Sequence, residues 1–509
     1  MLRNKSLFFL VLVSALAASA CTLHRQKGGG GGGGGGSATV SFTLVADTLP
    51  ANPAILSFNV SITSVVLTPT SGTAQTLTPA TAVVDLMRLQ SDADFLGTLT
   101  SVPSGSYSVK VAFSNPEITF LNDTASAINA GSASCASASV CVFSFSVSGT
   151  PTIGSFTVNV TASGQLGVGL DFNLNNAISL SSGTLSINFN PSSPVLRAFP
   201  LPRSNANLGN NQLDLIEDFT GVVTLNGTSG VTIKSPTRGN LTATAVSTTN
   251  FDPDPSGTLC PTGTSTLSAC VSANQIASMD AVLNADGAFS IREIEPLVST
   301  QQDLLEGTVF SVTGNGTQFA IAVTDKSQAS TGSLIASLHT GDLLTVNLSS
   351  SVHPFLVDTK GLAVASSFPG SFGLFSNQTA TAAIHEGQTV SIHATAFTAA
   401  GGATPASATV DRVTLRWSRF RAPAVSATSS LINVNALPSY FNFSSSSAFA
   451  VQGFFNGSLG SGGVTNLEGI ATNAGNVTPG QAIGLRALYL QNTTNTSNPA
   501  FFAAKMRQP

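Results

Sequence analysis

Charge is what this sequence has least of. Asp, Glu, Lys and Arg make up 9 % of its 509 residues, against about a quarter in an ordinary soluble domain. The formal net charge is −4 and the body holds no basic cluster, so a nucleic-acid partner finds no electrostatic footprint. Aromatic rings that stack on sugars are scarce as well: one Trp and three Tyr, namely Trp417, Tyr107, Tyr440 and Tyr489. Five histidines (His24, His339, His353, His385 and His393) are scattered, without an H-E-x-x-H or Cys/His ligand spacing. They read as surface residues, and no metal site is expected. A G-x-S-x-G elbow is missing too. Nor does any stretch carry a convincing helical period.

Long apolar runs are confined to the start of the chain. Arg3 and Lys5 precede the apolar stretch Leu7–Ala20, which ends in small residues. That is the layout of a secretory signal peptide over residues 1–20. Ala18-Ser19-Ala20-Cys21 suits ordinary cleavage and also resembles the lipobox of bacterial lipoproteins, with Ala18 where Leu is usual. Five cysteines help to decide. Cys135 and Cys141 form one local pair and Cys260 and Cys270 another, as expected of loop-closing disulfides in an exported protein. Cys21 is left over at the new N-terminus, where lipidation would consume it. The other reading is a secreted protein with a bare thiol. Residues 21–37 then form a lipidated Cys and a tether with nine consecutive glycines. A glycine run holds no preferred conformation, and Thr22–Gly36 would reach roughly 20 Å on average and roughly 50 Å extended. Anchoring through Cys21 makes the membrane the first expected partner. Thr22, in place of Asp, points to the outer membrane by analogy with lipoprotein sorting in Gram-negative bacteria.

What the chain does have is Ser, Thr, Asn, Gly and 31 Phe. Such polarity alone would suggest disorder, but the Phe, Val, Leu and Ile content argues for packed cores. Period-two alternation runs through "VSFTL", "LSFNVSI" and later segments. The fold class expected is all-β: an N-terminal β-sandwich over 38–195, a linker over 196–211, then three small β-barrel repeats at 212–298, 300–417 and 418–509. The repeats are visible as "GQTVSIHATAF" at Gly387–Phe397 and "GQAIGLRALYL" at Gly480–Leu490, with a looser copy from Gln275. Val390, Ile392 and Ala394 match Ile483, Leu485 and Ala487, and in the looser copy Met279 and Ala281 take the last two of these places. Each copy leads into a second strand: "FSIREI", "ATVDRVTLR" or "FFAAKMR". Asp286-Gly287 fits a tight hairpin in the first. Gly221 of "TGVV" parallels Gly307 of "EGTV", and the third unit opens most weakly, with "SSLINVNALPSYFNF".

"VPSGSYSVKVAFSNP" resembles the P-x-G-x-Y turn and strand of prealbumin-like and carboxypeptidase-regulatory-like sandwiches. Together with "VVDLMRLQSDADFLGTL" it looks like an uncharacterised domain family common in acidobacterial lipoproteins. The later units resemble a second uncharacterised family of small barrel-like domains, found in tandem in bacterial envelope proteins. Neither resemblance brings catalytic or cofactor-binding residues, so none are expected. Tyr107 reads as a core residue with a tethered hydroxyl.

Three acidic pairs are candidates for chemistry: Asp92/Asp94, Asp252/Asp254 and Glu217/Asp218. A glycosidase needs two carboxylates across a cleft, one with a raised pKa. These pairs lie in Pro- or Ala-rich stretches, where solvated or capping charge is the ordinary reading. "FDPDPSG" falls short of a Ca²⁺ cage. Trp417, flanked by Arg416, Arg419 and Arg421, would seal the joint between the second and third units. Strand parity makes His393 solvent-facing. The function expected is a membrane-anchored envelope lipoprotein of structural or binding type: a rigid rod of modules meeting an undefined envelope or extracellular partner. The alternatives are a glycan-binding adhesin and, behind it, an envelope hydrolase.

Overall fold

The computed structural model describes residues 36–48, 54–79, 83–146, 158–161, 164–189, 195–201, 212–253, 259–297, 303–313, 317–328, 332–349, 355–358, 384–401, 404–442, 449–453, 466–468, 470, 474–490 and 501–508. The leader, Cys21, the glycine tether, His24, Asp254 and His353 lie outside them. Gly36–Pro509 forms one compact unit, and it is all-β.

Alternating Ser/Thr and apolar residues place one face of each N-terminal strand inward. Ser37–Thr48 pairs with Gln165–Asn173 on one side and Asp94–Pro103 on the other. A second sheet joins Ala54–Pro69 to Gly105–Leu121 along most of their length. Between the sheets lie Phe42, Phe58, Val60, Phe113 and Phe172, all in one core. Phe172 meets Phe58 and Phe113 edge-on at 6.1 and 5.3 Å. Tyr107 is buried there, and its hydroxyl donates to the Pro103 carbonyl at 2.6 Å, a tether of the expected kind. Leu196–Leu201 corrects the linker assignment over 196–211: it is an edge strand of the first sheet, antiparallel to Gln165–Asn173. Pro200 hid it from the sequence pattern, since proline is tolerated on a sheet edge, where an N–H can go unused.

The three later units share one topology. In the first, Gln212–Asn226, Gly230–Ser235, Gly239–Phe251, Phe289–Pro296 and Ile276–Asn284 close a barrel in that order. Gly239–Phe251 and Phe289–Pro296 run parallel. The second unit repeats the order with Leu304–Thr313, Gln318–Ser327, Leu343–Leu348, Ala406–Arg416 and Thr389–Thr398, again closed by a parallel pair. The third does so from Ser418–Ala427 to Phe501–Arg507 and Ala482–Tyr489. Its opening strand is therefore "SRFRAPAVSA", and Leu431–Val434 of "SSLINV" is the second strand. Five strands in this Greek-key order make a small barrel filled by side chains.

The Gln repeat has a geometric cause. Asn274, Gly387 and Gly480, each just before the Gln, have φ of 67°, 90° and 83°. In this left-handed turn Asn274 N–H donates to Val223 O, Gly387 to Val309 O and Gly480 to Ala424 O, at 2.9, 2.7 and 2.7 Å. The Gln carbonyls then accept from the same three residues at 2.8, 2.8 and 2.9 Å. Glycine or asparagine is needed because a Cβ is unfavourable there. Beyond the Gln, Ala277, Met279 and Ala281 point into the first barrel as Val390, Ile392 and Ala394 do in the second and Ile483, Leu485 and Ala487 in the third. The Asp286-Gly287 hairpin forms as expected, with Gly287 at φ 82°.

Both cysteine pairs, Cys135–Cys141 and Cys260–Cys270, are joined. No helix among the described residues is long and apolar enough to cross a membrane.

Candidate functional site

The charges that the surface lacks are inside. Residues Arg88, Asp92 and Asp94 of the sandwich, Glu217, Asp218 and Arg238 of the first barrel, and Glu306, Asp325 and Arg416 of the second converge on one buried centre. The third barrel adds Arg419, Arg486, Lys505 and Arg507. Asp92 is 0 % exposed and Asp218 3 %. A single guanidinium ties all four modules together. Arg419 reaches Asp92 at 2.8 Å, Glu306 at 3.0 Å and Asp218 at 3.3 Å.

The backbone explains how neighbouring carboxylates share this centre. Glu217 and Asp218 sit in a register break between Ile216 and Phe219, with Asp218 at φ 51°. Such a bulge aims two successive side chains the same way. It also turns both carbonyls toward cations: Arg88 donates to Glu217 O and Asp218 O at 3.3 and 3.2 Å, and Arg238 at 2.9 and 3.1 Å. Arg486 pairs with Glu217 at 2.9 Å and with Asp218. Arg88 holds Asp325 at 2.9 Å, and Arg238 holds Asp94 at 2.6 Å. Gly484 lets the third barrel approach the Gln90 carbonyl, because a Cβ there would lie 2.6 Å from it.

Two of the acidic pairs read from sequence, Asp92/Asp94 and Glu217/Asp218, are thus ion-paired and buried, where solvated turn charges were expected. Within Gly36–Pro509 all four modules reach this centre, whereas a rod would join only neighbours in sequence. Trp417 does seal its joint: it is 1 % exposed and shares a core with Leu488, Leu490 and Phe502 of the third unit. Arg486 lies over its ring at 5.5 Å. His393 departs from expectation. Its side chain is 16 % exposed and bonds Asp411 at 2.7 Å. His339 is exposed beside Asp342 at 3.7 Å, and His385 lies 6.4 Å from the Tyr489 ring. Among the described residues no group of three His, Cys, Asp or Glu side chains is placed to hold a metal ion.

Sequence reading named Arg416 and Arg419 only as flanks of Trp417 and missed Arg88, Arg238, Arg486, Lys505 and Arg507. Their signal was available: in the third unit Arg486, Lys505 and Arg507 occupy the strand face that faces away from the barrel core. Scarce charge spent at such positions marks a face that is covered.

Burial alone would raise the Asp92 and Glu306 carboxyls, but nearby guanidiniums, Arg419 foremost, hold both below the usual carboxylate range. Their ordinary values are 3.8 and 4.5. A depressed folded-state pKa contributes stability that is complete above the unfolded value and is lost as pH falls below it. The urea midpoint of the protein should therefore hold level from about pH 7 to about pH 5.5 and decline below about pH 4.5. A midpoint insensitive to acid down to about pH 3 would contradict this electrostatic account. Asp85 slopes the other way. Its burial raises its pKa more than the Phe58 and Met87 N–H groups lower it, so its contribution fades as pH rises.

Beside this centre a cleft of about 330 Å³ opens between the first and second barrels. Asp252, Glu295, Glu306, Asp325 and Asp358 line it. This gathers several carboxylates in one cleft, which a glycosidase would need. Glu306, however, pairs with Arg416 and Arg419 and is held ionised, the reverse of a general acid. Asp325 is likewise paired with Arg88. No protein-family model matches the sequence, and no curated protein matches it either.

Proposed function

We propose that this chain is a bacterial cell-envelope lipoprotein of structural or binding type, held through Cys21 and a glycine tether. The anchor part of this reading is supported by the leader that ends at Cys21, the one cysteine outside the two pairs, and the shared charge centre supports display of a single body. Breaking one partner of a buried pair strands the others, so the four modules are coupled and the tether would bear one rigid body. A body of fixed geometry suits presentation of a surface. The two joined cysteine pairs support an oxidising compartment outside the cytoplasm.

The test is intact-mass spectrometry with membrane fractionation. The mature chain should begin at Cys21, carry added acyl mass, and gain four hydrogens when its two disulfides are reduced. Cys21→Ser should move the protein from the membrane to the soluble fraction. A chain starting at residue 21 with a bare thiol, recovered in the aqueous phase, would replace this reading with a secreted protein.

A further inference from the structure

The cleft between the first and second barrels has a chemistry of its own. Its floor is the outward face of the second barrel's sheet. Glu306, Ser391, Thr414 and Leu356 are successive cross-strand neighbours there. Leu304, His393 and Arg412 form the adjacent row. Thr220, Asp252, Glu295 and Leu297 of the first barrel make the opposite wall.

Three cations line the cleft, and two are spoken for. Arg416 is bound by Glu306 and Asp358. The Lys326 ammonium donates to the carbonyls of Ile335, Ala336 and Leu338 at 3.4, 3.1 and 2.6 Å. Arg412 has no side-chain partner among the described residues. A register break between His393 and Ala394 places Asp411 and Arg412 side by side on the strand. His393 takes up Asp411, and the Arg412 guanidinium is left lining the cleft. Bulges are enriched beside functional sites because they re-aim a side chain in this way.

A guanidinium without a partner recognises a carboxylate through a two-point fork. Ser391 and Thr414 offer hydroxyls beside it. Asp252 and Glu295 line the opposite wall and repel a second acid group. Leu297, Leu304 and Leu356 give an apolar flank. The volume suits one or two sugar rings. We infer that this cleft binds a small sugar acid, a single carboxylate on a polyhydroxylated ring, with its acid group on Arg412. The inference rests on the envelope reading only for where such a ligand would be met. Titration tests the cleft and fractionation tests the anchor, so either can fail alone.

Galacturonate is titrated into the full chain in detergent by calorimetry, beside galactose and acetate. Galacturonate should bind with Kd on the order of 1 mM, as expected of a half-open polar site, and both controls about tenfold or more weaker. Arg412→Gln should weaken galacturonate about tenfold, with an unchanged melting curve, since Arg412 has no partner to lose. Thr414→Val should weaken it several-fold and keeps the test alive should the first variant misfold. Galactose or acetate binding as tightly as galacturonate, an Arg412→Gln variant binding at wild-type strength, or no galacturonate binding at about 10 mM would overturn the inference.

Discussion

Arg419→Met should cost the protein about 3–5 kcal/mol, read as a fall in urea midpoint. The size follows from what stays behind. Methionine fills most of the space, so packing is largely kept, but Asp92, Glu306 and Asp218 lose a guanidinium they share. Asp92 is fully buried and cannot turn to water. Arg486 and Arg88 still face it at 4.0 and 3.6 Å, distances too long to replace the lost contact of 2.8 Å. Because those carboxylates belong to three different modules, the loss should also loosen the body, visible as a larger radius of gyration in solution scattering. Adding Asp92→Asn should recover part of the loss by removing one stranded charge, and the coupling between the two changes should exceed about 1 kcal/mol. A single variant that unfolds at the wild-type midpoint would mean that desolvation cancels the attraction, and that the modules are held by apolar contacts alone.

The strands and the repeats were legible because their signals are local. Alternation reports which face is buried within a few residues, and the Gly-Gln turn reports a backbone need at a single position. The third unit's opening was misread at "SSLINVNALPSYFNF", because its opening strand Ser418–Ala427, with Arg419, Arg421 and Pro423, does not look like its counterparts. The charge centre was not legible, since its pairs are remote: Arg419 and Asp92 are 327 positions apart. An acidic pair in an Ala- or Thr-rich segment looks the same whether it faces water or the inside of a protein. Composition held the clue in a form that is hard to use. A chain with so few charges has little reason to keep them in adjacent pairs unless they have partners. Strand parity put His393 on the outward face, as found, but its exposure was misjudged for a related reason. Parity says which side of a sheet a residue takes, not whether that side is covered, and here an extra residue in the facing strand brings Asp411 against the ring.

The repeat turn offers the sharper test of how the modules are joined. Gly387 and Gly480 hold equivalent places with φ of 90° and 83°, yet their surroundings differ. A Cβ on Gly480 would meet nothing within 4 Å, while one on Gly387 would lie 2.0 Å from Cδ1 of Phe441, a residue of the third barrel. Gly480→Ala should thus cost only the left-handed strain, about 1–2 kcal/mol, and Gly480→Asn nearly nothing, since Asn274 already occupies the equivalent position. Gly387→Ala bears the same strain plus overpacking of about 1–3 kcal/mol. Phe441 cannot swing away: its ring is 1 % exposed and packs against Phe420, Tyr489 and Phe501 at 5.1, 5.7 and 5.7 Å. In the Phe441→Leu background, where the ring is gone, the extra cost of Gly387→Ala should shrink toward that of Gly480→Ala. Equal urea midpoints for the two single alanine variants would show that the second and third barrels do not press together at this turn. The expected inequality would tie a turn that each barrel needs for its own closure to the seam between two of them.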